Sequence, residues 1–336
     1  SCCNVRAIND RNKVDKTFSS VGNLLSPRSN GCSSGSDVYS IIGGKVNGNI
    51  SNSTEKFQVV DGLSIVGPNA NISRMNHGCS GVKESMAVIG GINSSNSLSV
   101  PVEKLANNVF TSTSIILNSP RQLSGISGTN SASAHVIGGQ DQTTASSKYE
   151  YFNGTTFVNK DNMSMAKTNM SSIAYTDNTI LSIGGKNNVS LDICERYNTT
   201  WQYDSQLLVE VDSINGGGMS KSPTDMICVS GGLSNNRLMV ATQLYNNIAW
   251  FVNSYMAEPR HSSQNSMGYS NSYIFGGMNS NGQLSSIEKL IDVEIYAKSK
   301  RDVPMGSYLD INVIKNNDTI DNYDIDDFIW SVSDHM

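Results

Sequence analysis

Five basic side chains recur at matched places in this 336-residue chain: Arg28, Arg74, Arg121, Lys167 and Arg260. Each stands about 16–18 positions before the second glycine of a Gly-Gly pair. A guanidinium forms two-pronged bonds to carboxylate, phosphate or sulfate, so these residues are candidates for gripping an anionic group of a partner, an acidic side chain or sugar included. The same chemistry serves inside a protein, where it ties down a neighbour's carbonyls or carboxylate, and fivefold repetition suits that task too. A fifth unit departs from the pattern, with Ile214 or Asn215 at the corresponding place.

Other reactive residues are scattered. His77, His135, His261 and His335 share no metal-ligand spacing, and no Cys-x-x-Cys, Gly-x-Ser-x-Gly, phosphate-binding loop or dinucleotide fingerprint occurs. The glycines near residue 216 have no Lys-Ser/Thr directly after them and read as a flexible turn. The expectation is a chain with no catalytic residue, no metal and no cofactor. Of the six cysteines, Cys32, Cys79 and Cys228 fall on apolar or inner-strand positions and read as small buried side chains. Cys2 and Cys3 would lie on an N-terminal arm, where an oxidising setting would let them crosslink to a neighbour.

The elements that must carry these residues follow from the glycines. Gly43-Gly44, Gly90-Gly91, Gly138-Gly139, Gly184-Gly185, Gly231-Gly232 and Gly276-Gly277 recur at roughly 45 to 48 residues, the period of propeller blades. Each pair closes a short apolar run such as VYSII, AHVI or YIF, too short for a helix and rich in β-formers. Glycine there supplies a bulge, a tight turn or a close backbone approach. Asn/Ser/Gly loops follow. Then come Glu55, Glu103, Glu150, Glu195, Gln243 or Glu288, with an aromatic or leucine within two positions. Four short strands per unit bury both faces only if the units stack in a ring.

This grammar resembles the kelch repeat, whose signature is a basic residue, an apolar run, Gly-Gly, Glu-x-Tyr and Trp. The tryptophan survives only as Trp201 and Trp250, with Phe18, Phe110 and Phe157 as stand-ins. The resemblance covers nearly the whole chain. It implies an all-β, six-bladed propeller over residues 17–297, a short arm at 1–16 and an acidic extension at 298–336. In such a ring the five basic residues would stand around one rim of the central channel. FSSVGNLLSPR, starting at Phe18, aligns with WFVNSYMAEPR, starting at Trp250, so Phe18 to Leu25 would form the outer strand of the last blade. The alternative is that Val293 to Ala297 finish that blade and the N-terminus is only an arm.

With a net charge of −5, the chain has no bulk attraction to nucleic acid, and no apolar run reaches the length of a membrane span. The opening residues lack the apolar stretch of a signal peptide, so synthesis in a host cytoplasm is expected. Ten Asn-x-Ser/Thr triplets are attributed to Asn/Ser-rich loops rather than to glycosylation. The final residues carry Phe328, Ile329 and Trp330 among aspartates, anchors suited to docking on a neighbouring chain or packing back on the propeller; calcium binding is not expected, because the loop glycine and final glutamate are missing.

The third unit narrows the resemblance. Gly128, Thr129, Gly138, Gly139, Tyr151, Asn153, Gly154, Thr155 and Phe157 match kelch arrays of tailed-bacteriophage and environmental bacterial proteins. That likeness implies a non-catalytic virion surface component, such as a capsid decoration, tail fibre or host-adhesion protein. Its partners would be other virion proteins or a host surface protein or glycan. A cellular kelch adaptor for ubiquitin ligation or cytoskeletal assembly, and a carbohydrate-active kelch enzyme, are the alternatives.

Overall fold

The computed structural model describes residues 15–82, 85–176, 179–214, 227–246, 248–263, 265–267, 272–297, 311–315 and 318–320. Residues 18–290 form one compact unit, a six-bladed β-propeller with no helix among the described residues. Blade three shows the plan: Gly125–Asn130, Ser133–Ile137, Tyr149–Phe152 and Phe157–Lys160 pair antiparallel in chain order, from the channel outward. Blades one, two and four repeat it, with Cys32–Gly35, Gly78–Val82 and Ser171–Thr176 innermost. In blade five the described strands are Ile227–Ser230, Ala241–Tyr245 and Trp250–Tyr255.

The second strand of each blade is the apolar run, and its burial explains why. Ser133–Ile137 is buried at every residue, and Thr179–Ile183 at all but its first. A strand covered on both faces by neighbouring blades has no wet side, so the usual in-out alternation disappears. The hydrophobic core is accordingly divided among the seams. Six buried clusters lie one to each interface between blades. Blades two and three share Ala87, Ile89, Val102, Val136, Phe152 and Phe157, for instance, whereas blades five and six share the smallest set, Cys228, Leu244 and Leu290.

The ring closes with the N-terminal segment. Asp15–Asn23 hydrogen-bonds to Ser286–Ala297 as the outer strand of blade six. It starts earlier and stops sooner than Phe18 to Leu25 because the chain turns inward at buried Leu24, whose N–H bonds Ser285 O at 2.7 Å. The N–H groups of Leu25 and Ser26 go to the Glu55 carboxylate instead of a strand ladder. Across this seam Tyr39 and Phe57 meet Tyr273 and Phe275, with ring centroids 5.0–5.7 Å apart. The inner strands of blades six and one also pair, in parallel, from Asn265↔Cys32 to Met267↔Ser34.

A second unit comprises residues 1–17 and 291–336. Its described part includes Ile311–Lys315, which pairs with Val293 to Ala297 and with Asp318–Ile320. Phe328, Ile329 and Trp330, like Cys2, Cys3, His335 and the arm before residue 15, lie outside the described residues.

The Gly-Gly pairs serve close backbone approach. In all six pairs both residues have positive φ, 53–67° for the first and 85–105° for the second. A side chain on Gly138 would come within 2.6 Å of Lys167 O, and one on Gly139 within 2.7 Å of Gln122 O. Replacing both by valine should therefore cost about 2 kcal/mol or more, from forbidden φ plus collision with backbone. Gly48 has φ +83° but open space around it, so Gly48→Ala should cost only about 1 kcal/mol. Urea unfolding of the two variants measures the contrast; equal losses would mean that crowding at the pairs is irrelevant.

Candidate functional site

The five basic residues do not stand free on a rim. Arg28, Arg74, Arg121, Lys167 and Arg260 are 0–1% exposed, and each pairs inside its own blade with the acidic residue of the third strand. Arg28 meets Glu55 at 2.6 Å, Arg74 meets Glu103 at 2.9 Å, Lys167 meets Glu195 at 3.3 Å and Arg260 meets Glu288 at 2.6 Å; Arg121 bonds Glu150 likewise. The carboxylate also accepts backbone N–H groups from the incoming chain, as Glu288 does from Ala257 (2.8 Å) and Glu258 (3.1 Å). Burial pulls the basic groups below their ordinary pKa, and the facing glutamates pull them back. The expectation of a partner-binding rim is corrected accordingly: these side chains are sealed in and ion-paired, with only Nε of Arg28 and Arg74 lacking an acceptor, so they do the structural job.

The basic residues also link blades. The side chains of the four arginines reach the carbonyl of the first glycine in their own blade, as Arg121 Nε does to Gly138 O at 2.7 Å and Arg260 to Gly276 O at 2.8 Å, whereas Lys167 Nζ donates to Ile193 O at 3.2 Å. The carbonyls of four of the five accept the second glycine's N–H from the blade before: Gly91 to Arg121 (3.2 Å), Gly139 to Lys167 (2.9 Å), Gly232 to Arg260 (2.9 Å) and Gly277 to Arg28 (2.8 Å). Gly185 makes the same bond to Val211, also 2.9 Å. The odd residue of unit five is thus Val211, not Ile214 or Asn215. Gln243 takes the place of glutamate in that blade and bonds Val209 through both N–H (3.1 Å) and carbonyl (2.9 Å). Where the cation is missing, so is the anion, which avoids a buried unpaired charge.

Two positions beyond each basic residue the chain takes a left-handed turn. Asn30, Asn76, Leu123, Asn169, Ser213 and Ser262 have φ between 48° and 60°. Their backbones form a continuous arc: Ser262 N–H donates to Ser213 O (3.1 Å), Asn30 to Ser262 (2.8 Å), Asn76 to Asn30 (2.7 Å), Leu123 to Asn76 (2.9 Å) and Asn169 to Leu123 (3.1 Å). All six residues line one opening, which encloses about 50 Å³ of water-accessible space, with His77, Ser124, Met170 and Ser263 behind them. Amides continue the linkage at the surface, Asn30 Nδ2 to Asn76 Oδ1 at 3.0 Å and Asn76 Nδ2 to Gln122 Oε1 at 2.7 Å. This opening is half-buried and carries no Asp, Glu, Lys or Arg, with asparagine and serine side chains beside apolar Leu123, Met170 and Ile214. Sequence reasoning passed over it, although Asn two places after a basic residue at 30, 76 and 169 is a recognisable sign of left-handed backbone.

The histidines are placed singly. His77 is buried with Nε2 3.1 Å from Ile42 O, His135 packs on Tyr149 and Tyr151, and His261 Nδ1 lies 2.9 Å from Ser262 Oγ. Cys32, Cys79, Cys194 and Cys228 are buried free thiols. Among the described residues no three His, Cys, Asp or Glu side chains gather as a metal site, and no helix is long and apolar enough to cross a membrane.

No protein-family model matches this chain, and no curated protein matches it in sequence. Among solved structures it is similar to YjhT, with a TM-score of 0.63, 12% identity, and coverage of 81% of this chain and 96% of that one. At such identity the likeness speaks for the propeller fold alone.

Two outcomes follow. Arg121→Met strands Glu150 in the interior and should cost about 3–5 kcal/mol. Adding Glu150→Gln copies the neutral solution of blade five and should recover part of that loss, so the double variant unfolds at higher urea than Arg121→Met alone; a lower midpoint would deny that the charges are coupled. His77 has its pKa pushed down to about 3 by burial and by the Arg74 charge. Between about pH 6.5 and that value the unfolded chain takes up a proton that the folded chain refuses, so stability is full above this window and falls as pH drops through it. The slope is about 1.4 kcal/mol per pH unit. Urea midpoints at pH 7 and pH 4.5 should show a smaller fall for His77→Gln than for the parent.

Proposed function

We propose that this chain is a non-catalytic propeller that docks another macromolecule on the face carrying the six left-handed residues. One observation supports this reading most: Leu123, Ser213 and Ser262 hold a backbone conformation that costs a non-glycine residue about 1–2 kcal/mol, at the mouth of a channel where side chains from six blades converge. Glycine would remove that strain, yet each position keeps a side chain. Strain retained in a convergent opening is a sign of use.

The chemistry of the opening indicates what it takes. Its amides and hydroxyls donate and accept hydrogen bonds without net charge, which suits sugar hydroxyls, acetamido groups or peptide backbone better than phosphate or sulfate. The phage-like pattern of the third unit favours a virion surface setting, as a capsid decoration, tail fibre or host-adhesion protein. The partner is then a host surface protein or glycan or another virion protein. Capsid and tail genes beside the coding sequence would agree with that setting; their absence would count against it.

The docking face is tested by replacing Asn30, Asn76 and Asn169 together with glycine. Glycine keeps φ positive, so the fold should hold, with a melting midpoint within about 3 °C of the parent. Binding to the ligand found on glycan and host-protein arrays should drop at least tenfold. Undiminished binding by the folded triple variant would move the docking surface elsewhere.

A further inference from the structure

We infer that Cys32 and Cys79 form a modification site: a thiol pair that an oxidant of the small-molecule disulfide class closes into a crosslink between blades one and two. The inner strands Cys32–Gly35 and Gly78–Val82 pack against each other. They are fastened at the channel mouth by Asn76 N–H to Asn30 O, 2.7 Å, and further along by Ser34 Oγ to Gly81 O. Cys32 and Cys79 fall between these two anchors. Both side chains belong to the seam cluster of Ile42, Ala70, Met86, Val88, Leu105 and Phe110, with 0% and 2% exposure. The neighbouring Cys79 thiol adds to burial in raising the pKa of Cys32. A disulfide holds its sulfurs about 2 Å apart, so closure calls for side-chain rotation and a shift of one strand while the seam is forming.

The chemistry balances as two exchanges. A thiolate from one cysteine attacks a sulfur of the small disulfide, RSSR, forming a mixed disulfide and expelling one RS⁻, which takes up the proton released from the thiol. The second cysteine then attacks the protein sulfur of that mixed disulfide and expels the second RSH. The two protein thiols are oxidised by two electrons and RSSR is reduced to two RSH. In the folded seam this reaction is blocked, because both thiols are covered and burial holds Cys32 in its protonated form, its pKa raised well above that of a free thiol. Closure therefore belongs to folding, when the two blades approach and the sulfurs are still wet. A crosslink spanning these residues would restrict the unfolded chain and hold the channel mouth between Asn30 and Asn76 in register.

The full chain, reduced and unfolded, is refolded with a mixture of oxidised and reduced glutathione, alkylated, digested and mapped by mass spectrometry. The expected product joins the peptides of Cys32 and Cys79 and is two hydrogens lighter than their sum. Its melting midpoint should stand about 5 °C or more above the same sample after phosphine reduction. The same mixture applied to already folded, reduced protein should leave the pair open over the time in which refolding closes it. Cys32→Ala, refolded alongside, should lose both the linked peptides and the difference in melting. Alkyl label on both Cys32 and Cys79 after refolding, or their capture by other cysteines, would overturn the assignment. Equally fast closure in the folded protein would overturn its link to folding.

Discussion

The propeller depends on one repeated attachment: a buried cation that holds its own blade by the side chain and the preceding blade by the backbone. In Arg260 the guanidinium spans Gly276 O, Ser286 O and Glu288, while the carbonyl receives the N–H of Gly232 from blade five. Desolvating a guanidinium is unfavourable by itself, and here that cost is offset by a full set of acceptors in fixed positions. The glycine pairs belong to the same device. They let one blade's backbone come close enough for the bond, so the left-handed φ values and the ion pairs are two views of a single joint.

A consequence is that most apolar burial lies away from the axis. The six hydrophobic clusters occupy the seams and reach the central opening at Met170 and Ile214, where asparagine and serine side chains complete the lining. A globular core loses packing everywhere when its centre is disturbed. In this ring the centre carries little of the core, so a substitution at the mouth disturbs packing less than one in a seam. Leu123 shares a position with Asn and Ser without breaking the hydrogen-bonded arc.

Much of this was legible in the sequence because each feature repeats. The glycine interval marked the blades, the apolar runs marked the doubly covered strands, and the likeness of FSSVGNLLSPR to WFVNSYMAEPR marked the closing strand. The direction of the basic side chains was not legible, since a repeat tells which residue recurs and not which way it faces. A clue lay in the spacing: basic and acidic partners are 27, 29 and 28 positions apart in the Arg28, Arg74 and Arg260 blades. A near-constant separation of opposite charges, lost together at Val211 and Gln243, is what an internal pair looks like in one dimension. The left-handed mouth was harder to see, because Leu123, Ser213 and Ser262 obscure the signal that three asparagines carry.

The closing strand has a consequence in time. Asp15–Asn23 is made early, yet its partner Ser286–Ala297 follows more than 260 residues later. At about 5–20 residues per second, the early strand waits roughly 13–53 s on the ribosome with its hydrogen-bonding edge unmatched. Blades one to four can form as their own hairpins emerge, since their strands are neighbours in sequence. The last blade is different in kind: its assembly reports that synthesis has reached the far side of the ring. Until then the edge of Asp15–Asn23 lacks the partner that it has in the closed ring.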